Sequence, residues 1–299
     1  MNQVKTISFV GAGALASGLA KLLRGQGFLI AEIIARPSAR SQRKAGALAQ
    51  EVGAAAATLG NAKLTCGVLW LAVPDRGVED VAQMLAQRDQ LPSVILHPSG
   101  ALSSRALAAL AGRGVHTGSA HPMMTFVDGE PPDLKDAWFA LEGSPMAIRA
   151  ARRMASALGA RCFTIKPASK ALYHAFGAML SPMLATELEA AERIGLRSGI
   201  RAREVRRIME PIVLRTVRNV LRNGAGKSFS GPMARGDVGT VQSHLEALAD
   251  SPESPVYRAL MEYATSNLPV QRSDEMKKLL RQPDARARKK PERPATETG

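Results

Sequence analysis

The chain has 299 residues, enough for two domains at roughly 150 residues each. Its 45% apolar and 22% charged residues are the balance of a folded globular protein, which excludes a wholly disordered chain or a collagen-like repeat. The net charge of +14 is spread along the sequence and few aromatic side chains interleave it, so base recognition in nucleic acid is not indicated, while attraction for anionic ligands is.

No apolar run reaches the roughly eighteen residues of a membrane span. The opening MNQVKTISFVGAG passes directly into a strand and a glycine turn, without the apolar stretch and cleavage site of a secretion signal; a cytoplasmic location is the expectation. Cys66 and Cys162 read as small buried hydrophobes, and two thiols alone build no four-cysteine metal site, so no metal is expected.

The first half alternates strands with helices. TISFV (6–10), LIAEIIA (29–35), GVLWLAV (67–73), VILH (94–97), VHTGSA (115–120), WFALEG (138–143) and RCFTI (161–165) have the β-branched and apolar runs of buried strands. Between them, one helix ends near Gly25 or Gly27, a second is capped by Ser38 and runs to about Val52, and a third spans about Met146–Leu158. This pattern predicts an α/β fold: an N-terminal Rossmann-like parallel sheet over residues 1–165.

From 166 to 280 the pattern becomes helical, which predicts a second, all-helical domain. One helix covers about Ser169–Gly195, with Leu172, Phe176, Met179, Leu180, Met183, Leu184 and Leu188 along one stripe. Another covers about Arg203–Arg222, expected to bury Val205, Ile208, Met209, Ile212, Val213, Val217 and Val220 and to stop at Gly224. Pro182 and Pro211 fall inside these runs, so each helix should kink or divide there. Ser254 and Pro255 read as the cap and first residue of a further helix, and residues 281–299 as a disordered basic tail.

GAGALA, Gly11 to Ala16, stands between the first strand and the first helix. Gly11 permits the tight turn, Gly13 lets the backbone approach a diphosphate, and Ala16 permits close helix–strand packing. The amides of Ala14 and Leu15 at the helix start are then free for the anion. At the end of the second strand, where an NAD site places an acid, the sequence reads ARPSAR. Arg36, Ser38 and Arg40 offer donors to a 2′-phosphate, which favours NADP. Ala72, Val73, Pro74 and Gly100 are expected beside the nicotinamide.

Ligands of an open parallel sheet lie beyond its carboxyl ends. There stand Ser99, with a hydroxyl near the reacting centre, and His121, a candidate proton donor or substrate-orienting group. Lys170 and His174 share one helix face; a lysine with its pKa lowered by partial burial can protonate substrate during hydride delivery. In SGPMARGDVGT (230–240), Asp237 is a cap for the next helix, and Arg235 a partner for an anionic substrate.

Six stretches together carry a resemblance: VGAGALASGLA (10–20), WLAVPD (70–75), HPSGALSS (97–104), GSAHPMMTF (118–126), KALYHAFGAMLSP (170–182) and SGPMARGDVGTVQSHL (230–245). The chain resembles the Rossmann-like NADP-binding oxidoreductases with a C-terminal domain of unknown function, number 2520. At its cofactor end it is similar to pyrroline-5-carboxylate reductases and coenzyme F420-dependent NADP reductases. The resemblance implies an NADP-binding oxidoreductase, dimeric through its helical domain. Lys170 matches the catalytic lysine of the broader beta-hydroxyacid dehydrogenases, whereas His174 replaces their asparagine. The expected function is NADP(H)-dependent reduction of a small carbonyl or imine, or oxidation of a hydroxy acid, in the cleft between the domains. The alternative is a nicotinamide-nucleotide-binding regulatory or scaffold protein without turnover.

Overall fold

The computed structural model describes residues 5–127 and 130–282. The chain divides into two compact units, one ending at Ser181 and one beginning at Pro182. The first therefore extends past the boundary expected near residue 166 and takes in one further helix. No helix among the described residues is long and apolar enough to cross a membrane. The tail from residue 283 onward lies outside the described residues.

The first unit contains β1 (Thr6–Val10), α1 (Ala14–Gly25), β2 (Leu29–Ala35), α2 (Ala39–Val52), β3 (Ala55–Thr58), β4 (Val68–Leu71), α3 (Val78–Ala86), β5 (Val94–His97), α4 (Ala108–Ala111), β6 (His116–Pro122), β7 (Trp138–Gly143), α5 (Pro145–Ala157), β8 (Arg161–Thr164) and α6 (Lys170–Ala178). The strands form one sheet in the order β3-β2-β1-β4-β5-β6-β7-β8. Every pairing is parallel except β6–β7. The order reverses between β1 and β4, and such a switch point opens a crevice at the strand carboxyl ends.

Alternate residues of each strand feed opposite faces. Val68 and Trp70 pack with Leu19, Leu23, Leu48 and Met154 of α1, α2 and α5. Leu69 and Leu71 pack with Val81, Leu85 and Leu110 of α3 and α4. Burial on both faces explains why these strands read as unbroken apolar runs. Ser38 caps α2 as expected, its hydroxyl accepting from the Ser41 amide at 3.2 Å. Several elements, β3 and α3 among them, have no counterpart in the sequence expectations. β3 is an edge strand of three alanines and a threonine without β-branched apolar residues, and α3 is a nine-residue helix.

The expected long helix is two, α6 and α7 (Leu184–Arg197), separated by a π-helical turn over Met179–Met183 that holds Pro182. Proline lacks the amide for the helical bond, and the wider turn accommodates its ring. Pro211, by contrast, lies within the unbroken α8 (Ala202–Asn223), which ends at Gly224 with φ of 82°.

The second unit continues with α9 (Ala225–Ser228), α10 (Val238–Ala247), α11 (Ser254–Asn267) and α12 (Ser273–Leu280). Its core is formed by Met233, Val241, Leu245, Met261, Met276 and Leu279. Two expectations fail here. Of the stripe predicted to be buried on α8, only Val205 is; Ile208, Ile212 and Val217 are exposed, because no described element of this unit covers them. Ser254 is not the cap of α11 but lies within it, and its buried hydroxyl has no hydrogen-bond partner. Asp237 does cap α10, accepting from the Thr240 amide at 3.1 Å and hydroxyl at 2.7 Å.

Candidate active site

The cofactor end is built where β1 leaves the sheet. Gly11 has φ of 108°, and its amide donates to Ile34 O at 2.9 Å. A Cβ there would lie 2.3 Å from Ala72 O, so only glycine lets the turn pass between the ends of β2 and β4. Gly13 precedes α1 in extended conformation, without a side-chain cap, and α1 has no acidic residue in its first turn. Nothing lies within 4 Å of the place a Gly13 Cβ would take. The first amides of α1 thus lack a partner within the helix and face an open approach, the requirement for an anion.

A cleft of about 310 Å³ joins Gly11 and Gly13 to Arg36, Ser38, Arg40, Ala72, Val73 and Pro74, all singled out from sequence, and adds Ser41 and Lys44. Ala14 lines an adjoining cleft of about 210 Å³. Leu15 is half-buried and Ala16 buried, and both pack in the core beneath. Two serines pin the turn after β2: Ser38 Oγ takes the Ser41 amide, and Ser41 Oγ takes the Arg36 amide at 3.1 Å. Arg36, Arg40 and Lys44 are exposed. Glu32, the acid of β2, is buried and accepts the amides of Lys63 at 2.8 Å and Leu64 at 2.9 Å. It holds a loop and is not directed at a ribose.

At the ends of β5 and β6, Ser99 organises a second cluster. Its amide donates to His97 Nδ1 at 3.2 Å, and its hydroxyl donates to Asp75 Oδ2 at 2.8 Å. The same hydroxyl accepts from the amides of Ala101 at 3.2 Å and Leu102 at 2.9 Å. The Ser99 carbonyl accepts from Ser119 Oγ at 3.0 Å and from Lys170 Nζ at 2.8 Å, and Lys170 Nζ also donates to Ser119 Oγ. Lys170 is only 1% exposed. Burial lowers its pKa to about 8 against the opposing pull of Glu142 and Asp75. The expected lowering is present, but the amine is enclosed and does not line the surface.

His97 is fully buried, and burial with the nearby Lys170 charge lowers its pKa to about 4. Its Nδ1 accepts from Ser99, so Nε2 carries the proton to Ser103 O, 3.1 Å away. The other histidine of a His-Pro pair, His121, is half-buried, and its Nδ1 lies 2.7 Å from the Tyr173 hydroxyl. Burial, then Lys170, then His174 bring its pKa to about 4. Burial also raises the Tyr173 phenol to about 12. The His121 and His174 rings meet edge to face at 6.2 Å. Both stand over Gly100, where a Cβ would lie 2.7 Å from His174 and 2.9 Å from His121 Nε2.

Of the four expected chemical groups, the fold thus brings His121 and His174 together over Gly100, with Ser99 and Lys170 enclosed beneath. Asp75, Ser119 and Tyr173 complete the cluster without having been singled out. Ser119 and Asp75 lie inside quoted strand-end stretches, and Tyr173 adjoins the Lys170–His174 face, so position was their only sequence signal. Arg235 is exposed in the second unit.

Comparison with known proteins shows what the chain is similar to. Residues 6–96 match the family model for coenzyme F420-dependent NADP oxidoreductases, and residues 137–264 match a domain of unknown function, DUF2520. The second match begins at residue 137, ahead of the boundary near residue 166 expected for that domain. Among solved structures, a provisionally assigned NADP oxidoreductase from Bacteroides fragilis is 23% identical with a TM-score of 0.74, over 87% of this chain and 98% of that one. A pyrroline-5-carboxylate reductase from Coxiella burnetii is 17% identical with a TM-score of 0.56, over 90% and 97%. An imine reductase from Myxococcus stipitatus, in complex with NADP+, is 18% identical with a TM-score of 0.60, over 87% and 92%. No curated protein matches the chain. The fold is that of the NADP-dependent oxidoreductases.

Proposed function

We propose that the chain is an NADP(H)-dependent oxidoreductase that reduces a small carbonyl or imine held over Gly100 by His121 and His174. The observation that carries this reading is the presence, along the carboxyl edge of one sheet, of an uncapped helix N-terminus with exposed arginines and of a histidine cluster. The cofactor's parts find matching groups: the diphosphate the amides of Ala14 to Ala16, and the 2′-phosphate Arg36 and Arg40, with Lys44 alongside. Glu32 is engaged elsewhere, which leaves a ribose 2′-hydroxyl without an acidic partner and favours NADP over NAD. The imine reductase neighbour, solved with NADP+, supports the same choice.

Bound there, the dihydronicotinamide supplies a hydride to the substrate carbon. The protein must then steady the negative charge that develops on the substrate oxygen or nitrogen. His121 is neutral near pH 7, and in this reading the phenol of Tyr173, still protonated and 2.7 Å from Nδ1, is the donor of that bond, which puts the ring proton on Nε2. A neutral Nε2–H above Gly100 is a hydrogen-bond donor for that charge, and exposed His174 connects it to solvent protons. Val73 and Pro74 line the nicotinamide end of the cleft.

Homodimerisation through the helical part belongs to the same proposal. Leu172, Phe176 and Met179 stand exposed on and just after α6, and Ile208, Ile212 and Leu221 on α8, more apolar surface than isolated helices leave in water. A substrate panel of cyclic imines, ketones and hydroxy acids with NADPH or NADP+ tests the reading. Saturable NADPH binding with turnover of one class supports it, and binding without any turnover favours a regulatory protein.

A further inference from the structure

We infer that Lys170 is a positioning residue, tying the Ser99 carbonyl to the Ser119 hydroxyl and so fixing the Ser99–Gly100 peptide as the floor beneath His121 and His174. The inference deepens the proposed substrate position and rests on it. A side chain that hands a proton to substrate has to be within hydrogen-bond reach of it. Lys170 begins α6 yet is enclosed, whereas His174, one turn further, is exposed. Its ammonium donates inward, to Ser99 O at 2.8 Å and to Ser119 Oγ.

Ser99 follows β5 and Ser119 lies within the adjacent β6, and Ser119 Oγ itself donates to the same Ser99 carbonyl. The tie is therefore three-cornered. The groups facing it are His97 from β5, His121 from β6, Asp75 from the turn after β4 and Glu142 from β7. Neither carboxylate bonds the ammonium: Asp75 takes the Ser99 hydroxyl, and Glu142 takes the Ser104 amide at 2.7 Å and hydroxyl. Lys170 thus replaces a salt bridge with bonds to the loop on which the reacting groups stand, while its charge disfavours protonation of both histidines.

The two roles give opposite signs in a labelling experiment. An amine with a lowered pKa has more of its reactive neutral form near pH 8, so an accessible Lys170 would acylate faster than surface lysines, and an enclosed one far slower. Brief treatment of the folded full chain with limiting acetic anhydride, read by peptide mass spectrometry, is expected to modify Lys170 at least tenfold more slowly than exposed Lys44 and Lys63. Modification at their rate or faster overturns the inference. In a Lys170→Met chain, amide exchange at Ser99 and Leu102 should accelerate, and the His121 titration midpoint, followed by ring-proton NMR, should move up. Unchanged exchange with an unmoved midpoint also overturns it, and if that variant does not fold, the labelling decides alone. Neither readout involves cofactor or turnover, so failure here is separate from failure to bind NADPH.

Discussion

The two strand-end regions of the first unit treat charge in opposite ways. After β1 and β2, the cations Arg36, Arg40 and Lys44 are exposed around a cleft whose helix N-terminus has no cap. After β5 and β6, Lys170 and His97 are enclosed, and every polar group of Ser99 has a partner. An open cation attracts a phosphate through water and is satisfied by the ligand itself. An enclosed group must be satisfied by the protein, and the low local dielectric then lets it set its neighbours' protonation. Ligand binding should accordingly depend on the first region, and proton placement on the second.

The largest separation of the two comes at Gly11. A Gly11→Ala chain should lose NADPH binding and on the order of 3 kcal/mol of stability, since the added Cβ meets backbone at a positive φ. A denaturation midpoint and NADPH affinity both equal to wild type would show that the turn is not the constrained one described.

The enclosed region predicts acid sensitivity. His97 and His121 titrate near 4 in the fold but near 6.5 unfolded, so the unfolded chain binds more protons in that window. Stability should therefore fall as pH drops from about 6.5 towards 4, by no more than about 7 kcal/mol for the two rings together. Lys170 acts over a different window: its stability contribution rises with pH between about 8 and 10.5. Urea midpoints measured at successive pH values check both, and a flat profile from pH 7 to 4 would mean that the rings are solvated.

The open region predicts a smaller, ligand-specific effect. Replacing Arg36 and Arg40 together by alanine should weaken NADPH binding roughly 10- to 100-fold, from the loss of about 1.5–3 kcal/mol of charge-assisted hydrogen bonding, and leave NADH nearly unaffected. An equal loss for both nucleotides would remove the 2′-phosphate assignment. The smallest effect belongs to Tyr173→Phe, expected to cost about 1 kcal/mol and to shift the His121 tautomer balance seen in ring-nitrogen NMR. An unaltered tautomer would show that Tyr173 does not orient the ring.

What the sequence made legible follows the range of the forces involved. Strands such as GVLWLAV and the turn GAGALA are local patterns, and both appear where expected. β3 escaped because alanine carries little strand signal, and the enclosure of Lys170 escaped because its partners Ser119 and Ser99 are 51 and 71 residues away. The i,i+4 spacing placed Lys170 and His174 on one face, but spacing does not tell which of two neighbours is roofed over. The α8 stripe shows the same limit: periodicity marks an apolar face without saying what covers it.

The central claim is that the crevice between β1 and β4 holds NADP(H). Titration of the purified chain with NADPH and NADH, followed by nicotinamide fluorescence, tests it directly. The account predicts saturable NADPH binding at least tenfold tighter than NADH. Absence of saturable binding by either nucleotide, or NADH binding as tightly as NADPH, would contradict it.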